Sequence, residues 1–312
     1  QNVANLFVVY SGNNEYYELR ALKNALPGFD ASIELARRRL SGLHLYRYLR
    51  SMMLPAGQTL APDQTVQPID NIEVEIDQDE RELGVLLYGE HVQSIIDAAQ
   101  SAGVPLMLST VADQMRSFAF HGDPPPLSPG VSEGVSRLDQ AGLNRDAAME
   151  ALSRFEDALR TQADHHAVAQ LLDRGQHWDL ARKHYLEAEY LDPRPRRSNE
   201  PMRSLLKRVA SENNTPVCDT ANLLAEQSRG RITGEDFFID PCHPNPLGHQ
   251  RLAEILLRCS VENNLIPGVT VDDLPPRLPL AGTDPFRLDQ FTDRRAQLEA
   301  NRGMSQAEID RV

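Results

Sequence analysis

The chain has 312 residues, 41% hydrophobic and 25% charged, a globular composition long enough for one large domain or two small ones. Its net charge of −13 excludes nucleic acid and anionic membrane as main partners, because both demand a basic face. The apolar runs are too short for a membrane span, and three cysteines (Cys218, Cys242, Cys259) are too few and too scattered for a disulfide framework or a zinc site.

Leu6 to Tyr10 is a continuous apolar run, as in a parallel strand covered on both faces. Such a strand at the start of a chain leaves one sheet side open, and the chain opens on Gln1 rather than Met. Sheet partners are therefore expected upstream. Asp30 to Met53 predicts a helix with Ile33, Ala36, Leu40, Leu43, Tyr46 and Leu49 inward and Arg37, Arg38 and Arg39 on a solvated face. Residues 54 to 72, with Pro55, Pro62 and Pro68, read as a loop. Gln78 to Ala102 predicts a long helix stopped by Gly103, and Val104 to Val111 the next strand. From Ala112 to about Arg137 the chain is rich in Pro, Gly and Ser. It reads as a long loop at the strand's C-terminal end, where open α/β sheets keep their active-site loops.

Residues 143 to 195 are helical and unlike the rest. Gly175, Trp178, Ala181, Tyr185, Ala188, Asp192 and Pro193 resemble the second half of a tetratricopeptide repeat, with one extra residue after the glycine and no second copy. A helical insertion packed on the core follows, with a protein partner on its surface as the further expectation. The implied division is 1–142 (first part of the core), 143–197 (insertion), 198–265 (remainder of the core) and 266–312 (a proline-rich, then helical tail, with Ser305 and Glu308 as a capping box). Ser198 to Ala210 is a helix and Pro216 to Asp219 a short strand. Phe237 to Ile239 leads into Asp240-Pro-Cys-His243-Pro-Asn-Pro, where Asn245 can cap a helix carrying Leu252, Ile255, Leu256 and Cys259 on its apolar face.

Asp240 stands three residues before His243, close enough to accept a hydrogen bond from one imidazole nitrogen and leave the other as a base. The bland alternative is a structural histidine before a capped helix. After the first strand comes Gly12-Asn13-Asn14-Glu15. Together the Gly-x-Asn-Glu block, the Asp-x-x-His block and the strand at Gly103 to Thr110 resemble the SGNH (GDSL-like) hydrolases over roughly residues 1 to 265. The resemblance implies a three-layer α/β/α, flavodoxin-like fold with a mostly parallel sheet, and hydrolysis of a small-molecule ester, such as an acyl ester on a carbohydrate or lipid. It implies no cofactor and no metal. Asn14 would donate its amide to an oxyanion, Gly12 would permit the turn that aims it, His243 would be the base and Asp240 its orienter. The family's Gly-Asp-Ser-like nucleophile block has no match here, so this chain by itself is expected to be inactive.

A competing pattern, Gly130-Val-Ser132-Glu-Gly134, spells the nucleophile elbow of α/β-hydrolases, with Asp219 or Asp240 and then His243 in the right order. An elbow needs a strand directly before it, and Pro124-Pro-Pro-Leu-Ser-Pro129 forbids one. Ser11 is a weaker candidate. His249 reads as structural and His165-His166 as surface. Cys242 is expected to point away from His243, because adjacent side chains diverge. A non-catalytic partner-binding module is the alternative from another functional class.

Overall fold

The computed structural model describes residues 5–13, 15–16, 19, 30–35, 75–116 and 125–275. Most of the predicted Asp30–Met53 helix, the 54–72 loop, Asn14 and the tail after Pro275 lie outside the described residues. Asp30 does start a helix, its Oδ1 accepting from the backbone N–H groups of Ser32 (2.9 Å) and Ile33 (3.2 Å).

The protein is mixed α/β and mostly helical, with a small parallel sheet in the order β1-β2-β3 among the described residues. Strand β1 is Phe7–Tyr10, β2 is Leu106–Ser109 and β3 is Val217–Cys218. Phe7 pairs with Leu106 and Leu108 with Val217. Helix α1, Gln78–Ala102, begins at a capping box of Asp77 and Glu80 and stops at Gly103, whose φ of 64° suits glycine. Its ends fall where the sequence puts them.

Alternate residues of β2 face opposite ways, as the pleat requires. Leu106 and Leu108 pack with α1 and with α6, Glu200–Glu212. Met107 and Cys218 pack with α7, Thr220–Ala225, and α8, Pro246–Glu262. Strand β1 departs from the expectation of two covered faces: Phe7 is 49% and Val8 39% exposed. Among the described residues only β2 pairs with it.

A separate apolar cluster holds α2 (Val131–Ala141), α3 (Arg145–Ser153), α4 (Gln162–Arg174) and α5 (Trp178–Tyr190). Helices α4 and α5 pack closely against each other as a hairpin. The cluster already includes Val131 and Leu138. The long loop expected to reach about Arg137 therefore gives way to helix from Val131, because Val131, Gly134 and Leu138 recur at helical spacing and face the cluster. His166 is buried rather than on the surface, with Nε2 3.2 Å from the Arg116 carbonyl, and His165 Nδ1 lies 3.0 Å from His184 Nδ1.

The cysteines also require a correction. Cys218 of β3 and Cys259 of α8 form a disulfide, Cα to Cα 5.7 Å, across 41 residues of sequence. Sequence spacing does not reveal it, because the pair meets only when α8 folds back over the sheet. Beneath the sheet's exit lies a buried charge cluster. Arg203 holds Glu189 through Nη2 to Oε2 (2.9 Å) and Nη1 to Oε1 (3.2 Å), and Asp113 stands 3.4 Å from Arg203 and 3.2 Å from Arg197. No described helix is long and apolar enough to cross a membrane.

Candidate functional site

The Asp240–His243 turn is closed by its own backbone. Ile239 N–H donates to the His243 carbonyl (3.0 Å), Asn245 N–H donates to the Phe237 carbonyl (2.9 Å), and Phe238 and Pro244 form an antiparallel bridge. Asn245 then caps α8, its Oδ1 accepting from Gly248 N–H at 2.8 Å. Gly248 has to be glycine: a Cβ there would stand 2.1 Å from the Phe237 carbonyl oxygen. The predicted cap and turn are thus both present, and they hold His243 at a fixed place beside the helix start.

Asp240 is buried at 5% side-chain exposure, while the His243 side chain is 52% exposed. Asp240 Oδ1 accepts from the backbone N–H groups of Cys242 (3.0 Å) and His243 (2.8 Å). His243 Nδ1 lies 2.7 Å from Oδ2 and 2.9 Å from Oδ1. Nδ1 is therefore a donor to the carboxylate, and Nε2 forms no hydrogen bond to any described residue. Burial pushes the Asp240 carboxyl up, but the His243 hydrogen bond and the two backbone N–H groups prevail and hold it below the usual carboxylate range. The Asp240 hydrogen bond, helped by Cys242, pushes His243 up to about 10. The raised value favours the imidazolium at neutral pH and leaves Nε2 free to accept a proton only on the alkaline side.

Cys242 does not point away as expected. Its Sγ stands 3.6 Å from His243 Nδ1, because the tight turn around Asp240 curls both side chains to one side. Burial, with the His243 charge adding, pushes His249 down.

Contacts with the strand exits position this turn. Gln114 N–H, in the segment leaving β2, donates to the Pro241 carbonyl at 2.9 Å. Thr233 Oγ1 donates to the Asp113 carbonyl (2.5 Å). The Tyr10 hydroxyl at the end of β1 accepts from Ala112 N–H (3.1 Å), and burial, with Asp113 and Cys242 adding, pushes it up. The Asp240–His243 pair thus sits beside the C-terminal ends of parallel strands, where open α/β sheets hold ligands.

Gly12 follows β1 with a φ of 147°, a conformation only glycine takes easily. A Cβ there would meet the Tyr88 hydroxyl at 3.4 Å and Ser198 Oγ at 3.5 Å. Asn13 Oδ1 accepts from Ser198 N–H at 3.0 Å, and the Tyr88 hydroxyl donates to the Ser11 carbonyl at 3.1 Å. The turn at Gly12 is therefore held by contacts of its neighbours to Ser198 and Tyr88. Asn14, the expected oxyanion donor, lies outside the described residues. Asp240 and His243 are brought into contact, and no hydrogen bond joins Gly12 to them among the described residues.

Ser132 sits in the first turn of α2, exposed, and residues 125–130 form no strand. The second glycine of that pattern has a packing role: a Cβ on Gly134 would fall 2.3 Å from the Phe155 ring. Asp219 is engaged with Thr110, Lys207 and Asn222 rather than with His243. Sequence reasoning missed Tyr10 and Asp113, which bond Ala112 and Thr233 near the turn, and Arg203, which pairs with Asp113. A groove of about 1070 Å³ lies elsewhere, beside α5, between Trp178, Leu186 and Tyr190 on one side and Pro201 and Arg231 on the other.

Protein-family models, curated proteins and solved structures contain no match to this chain.

Proposed function

We propose that this chain carries the base-and-acid half of an SGNH-type ester hydrolase, with His243 as general base, Asp240 as its orienter, Asn14 as oxyanion donor and Gly12 as the turn that aims it. The observation that carries the reading is the Asp240–His243 pair, with Nδ1 held by a buried carboxylate and Nε2 open, beside the strand exits. Helices on both faces of the parallel sheet support the flavodoxin-like, three-layer part of the reading. In the reaction a serine hydroxyl attacks the ester carbonyl while Nε2 takes its proton. The tetrahedral intermediate collapses to an acyl-serine as the ester's alcohol leaves with that proton, and water, activated by the same nitrogen, attacks the acyl-serine and releases the acid and the free serine. No described serine hydrogen-bonds Nε2, so the nucleophile has to come from another segment.

Fluorophosphonate labelling, with the modified serine mapped by mass spectrometry, tests this on the 312-residue chain and on any longer form of it. The expected result is no His243-dependent label on the described serines, and a label lost in His243→Ala wherever the nucleophile is present. Labelling of Ser132 that disappears in His243→Ala overturns the reading in favour of an α/β-hydrolase. The groove beside Trp178 and Tyr190 favours a second reading, a partner-binding module. There, Tyr190→Ala abolishes partner binding while His243→Ala leaves it unchanged.

A further inference from the structure

We propose that the turn Asp240-Pro-Cys-His243 is a binding site for one zinc-like divalent cation, held by Asp240 Oδ2, Cys242 Sγ and His243 Nδ1. These donors belong to three residues of a four-residue turn, and one ligand atom from each lies within 4.8 Å of the others. Tetrahedral zinc with bonds of about 2.0–2.3 Å places its ligand atoms roughly 3.3–3.7 Å apart. The Cys242 Sγ to His243 Nδ1 separation of 3.6 Å already meets that. The Oδ2 to Nδ1 separation of 2.7 Å has to open by about half an ångström or slightly more, a small rotation of a half-exposed imidazole.

The remaining geometry fits an ion as well. Asp240 Oδ1 is fixed by the backbone N–H groups of Cys242 and His243, which orients the carboxylate and leaves Oδ2 as a ligand. A thiolate, an imidazole and a carboxylate together suit zinc rather than magnesium or calcium, which prefer all-oxygen shells. With Cys218 and Cys259 joined, Cys242 is the one thiol of the chain free to ligate. Three protein ligands on an exposed turn leave the fourth position to water.

The ion takes the place of the proton that Nδ1 shares with Asp240. The metal-bound turn and the hydrogen-bonded base–acid pair therefore exclude each other, so zinc is expected to switch off any reaction that uses His243 as base. The site itself rests on the geometry of the turn, independently of the hydrolase reading.

The test is calorimetric titration of the 312-residue chain with Zn²⁺ alone, paired with alkylation of Cys242 followed by mass spectrometry. One Zn²⁺ per chain is expected, with binding weakened at least about tenfold in Cys242→Ser and in His243→Ala. In the unaltered chain, which avoids any question of variant folding, saturating Zn²⁺ should slow alkylation of Cys242 at least about tenfold, and Mg²⁺ should not. Absence of stoichiometric binding, or an alkylation rate that Zn²⁺ leaves unchanged, overturns the proposal. Neither readout involves ester chemistry, so this site and the hydrolase reading fail separately.

Discussion

His243 is the residue whose state controls the candidate site. Its ordinary value near 6.5 is pushed up to about 10 by Asp240 and Cys242. A raised folded value means that protonation and folding reinforce each other. The pair's contribution to stability is full between the unfolded ranges of Asp and His, about pH 4 to 6.5. It fades as pH rises toward about 10, and also as pH falls and Asp240, held low in the fold, takes up a proton. Titration of the His243 ring protons by NMR should show a midpoint near 10 that falls toward 6.5 in Asp240→Asn. An unchanged midpoint in that variant would mean that the carboxylate does not govern the ring. A base-dependent reaction at this site should for the same reason rise with pH through the alkaline range.

Helices and strands meet at a few positions that tolerate little change. Gly134 of α2 lies against the Phe155 ring, so Gly134→Ala should overpack that contact and cost about 1–3 kcal/mol in urea unfolding. Ser132→Ala, two residues away and exposed, should stay within about 0.5 kcal/mol, the contrast that separates a packing role from a nucleophile elbow. The Cys218–Cys259 bridge ties β3 to α8, the helix whose cap holds the His243 turn. Closing a loop of this size stabilises the fold by about 4 kcal/mol in the chain-entropy picture. Reduction should lower the melting temperature, and thiol counting on the denatured, unreduced chain should find only Cys242.

Over the whole molecule, the helical cluster and the sheet are joined by charge as well as by apolar contact. Arg203 on α6 pairs with Glu189 on α5 and Asp113 beyond β2, all buried. Arg203→Met removes the guanidinium that holds the buried Glu189 carboxylate and should cost about 3–5 kcal/mol in denaturant unfolding. Replacing Glu189 with Leu in the same chain should recover part of that loss, since Asp113 keeps Arg197. Additive losses would show that the two residues do not share one network.

Local chemistry determined much from the sequence alone. The Gln78 to Gly103 limits of α1, the Asn245 cap, the parallel strands and the Asp240–His243 contact each depend on residues within a few positions of one another, or on an apolar run of fixed period. The helical character of residues 143 to 195 was legible for the same reason. Tertiary structure alone decided where distant elements meet. Cys218 found Cys259 because α8 folds back on β3, Phe7 and Val8 are exposed on a strand that pairs with β2 alone among the described residues, and helix α2 replaced a loop because Phe155 and its neighbours offered its apolar face a partner. Cys242 turned toward His243 for a related reason: two backbone N–H groups wrap the turn around a buried Asp240 carboxylate, and burial of that carboxylate is a property of the folded chain.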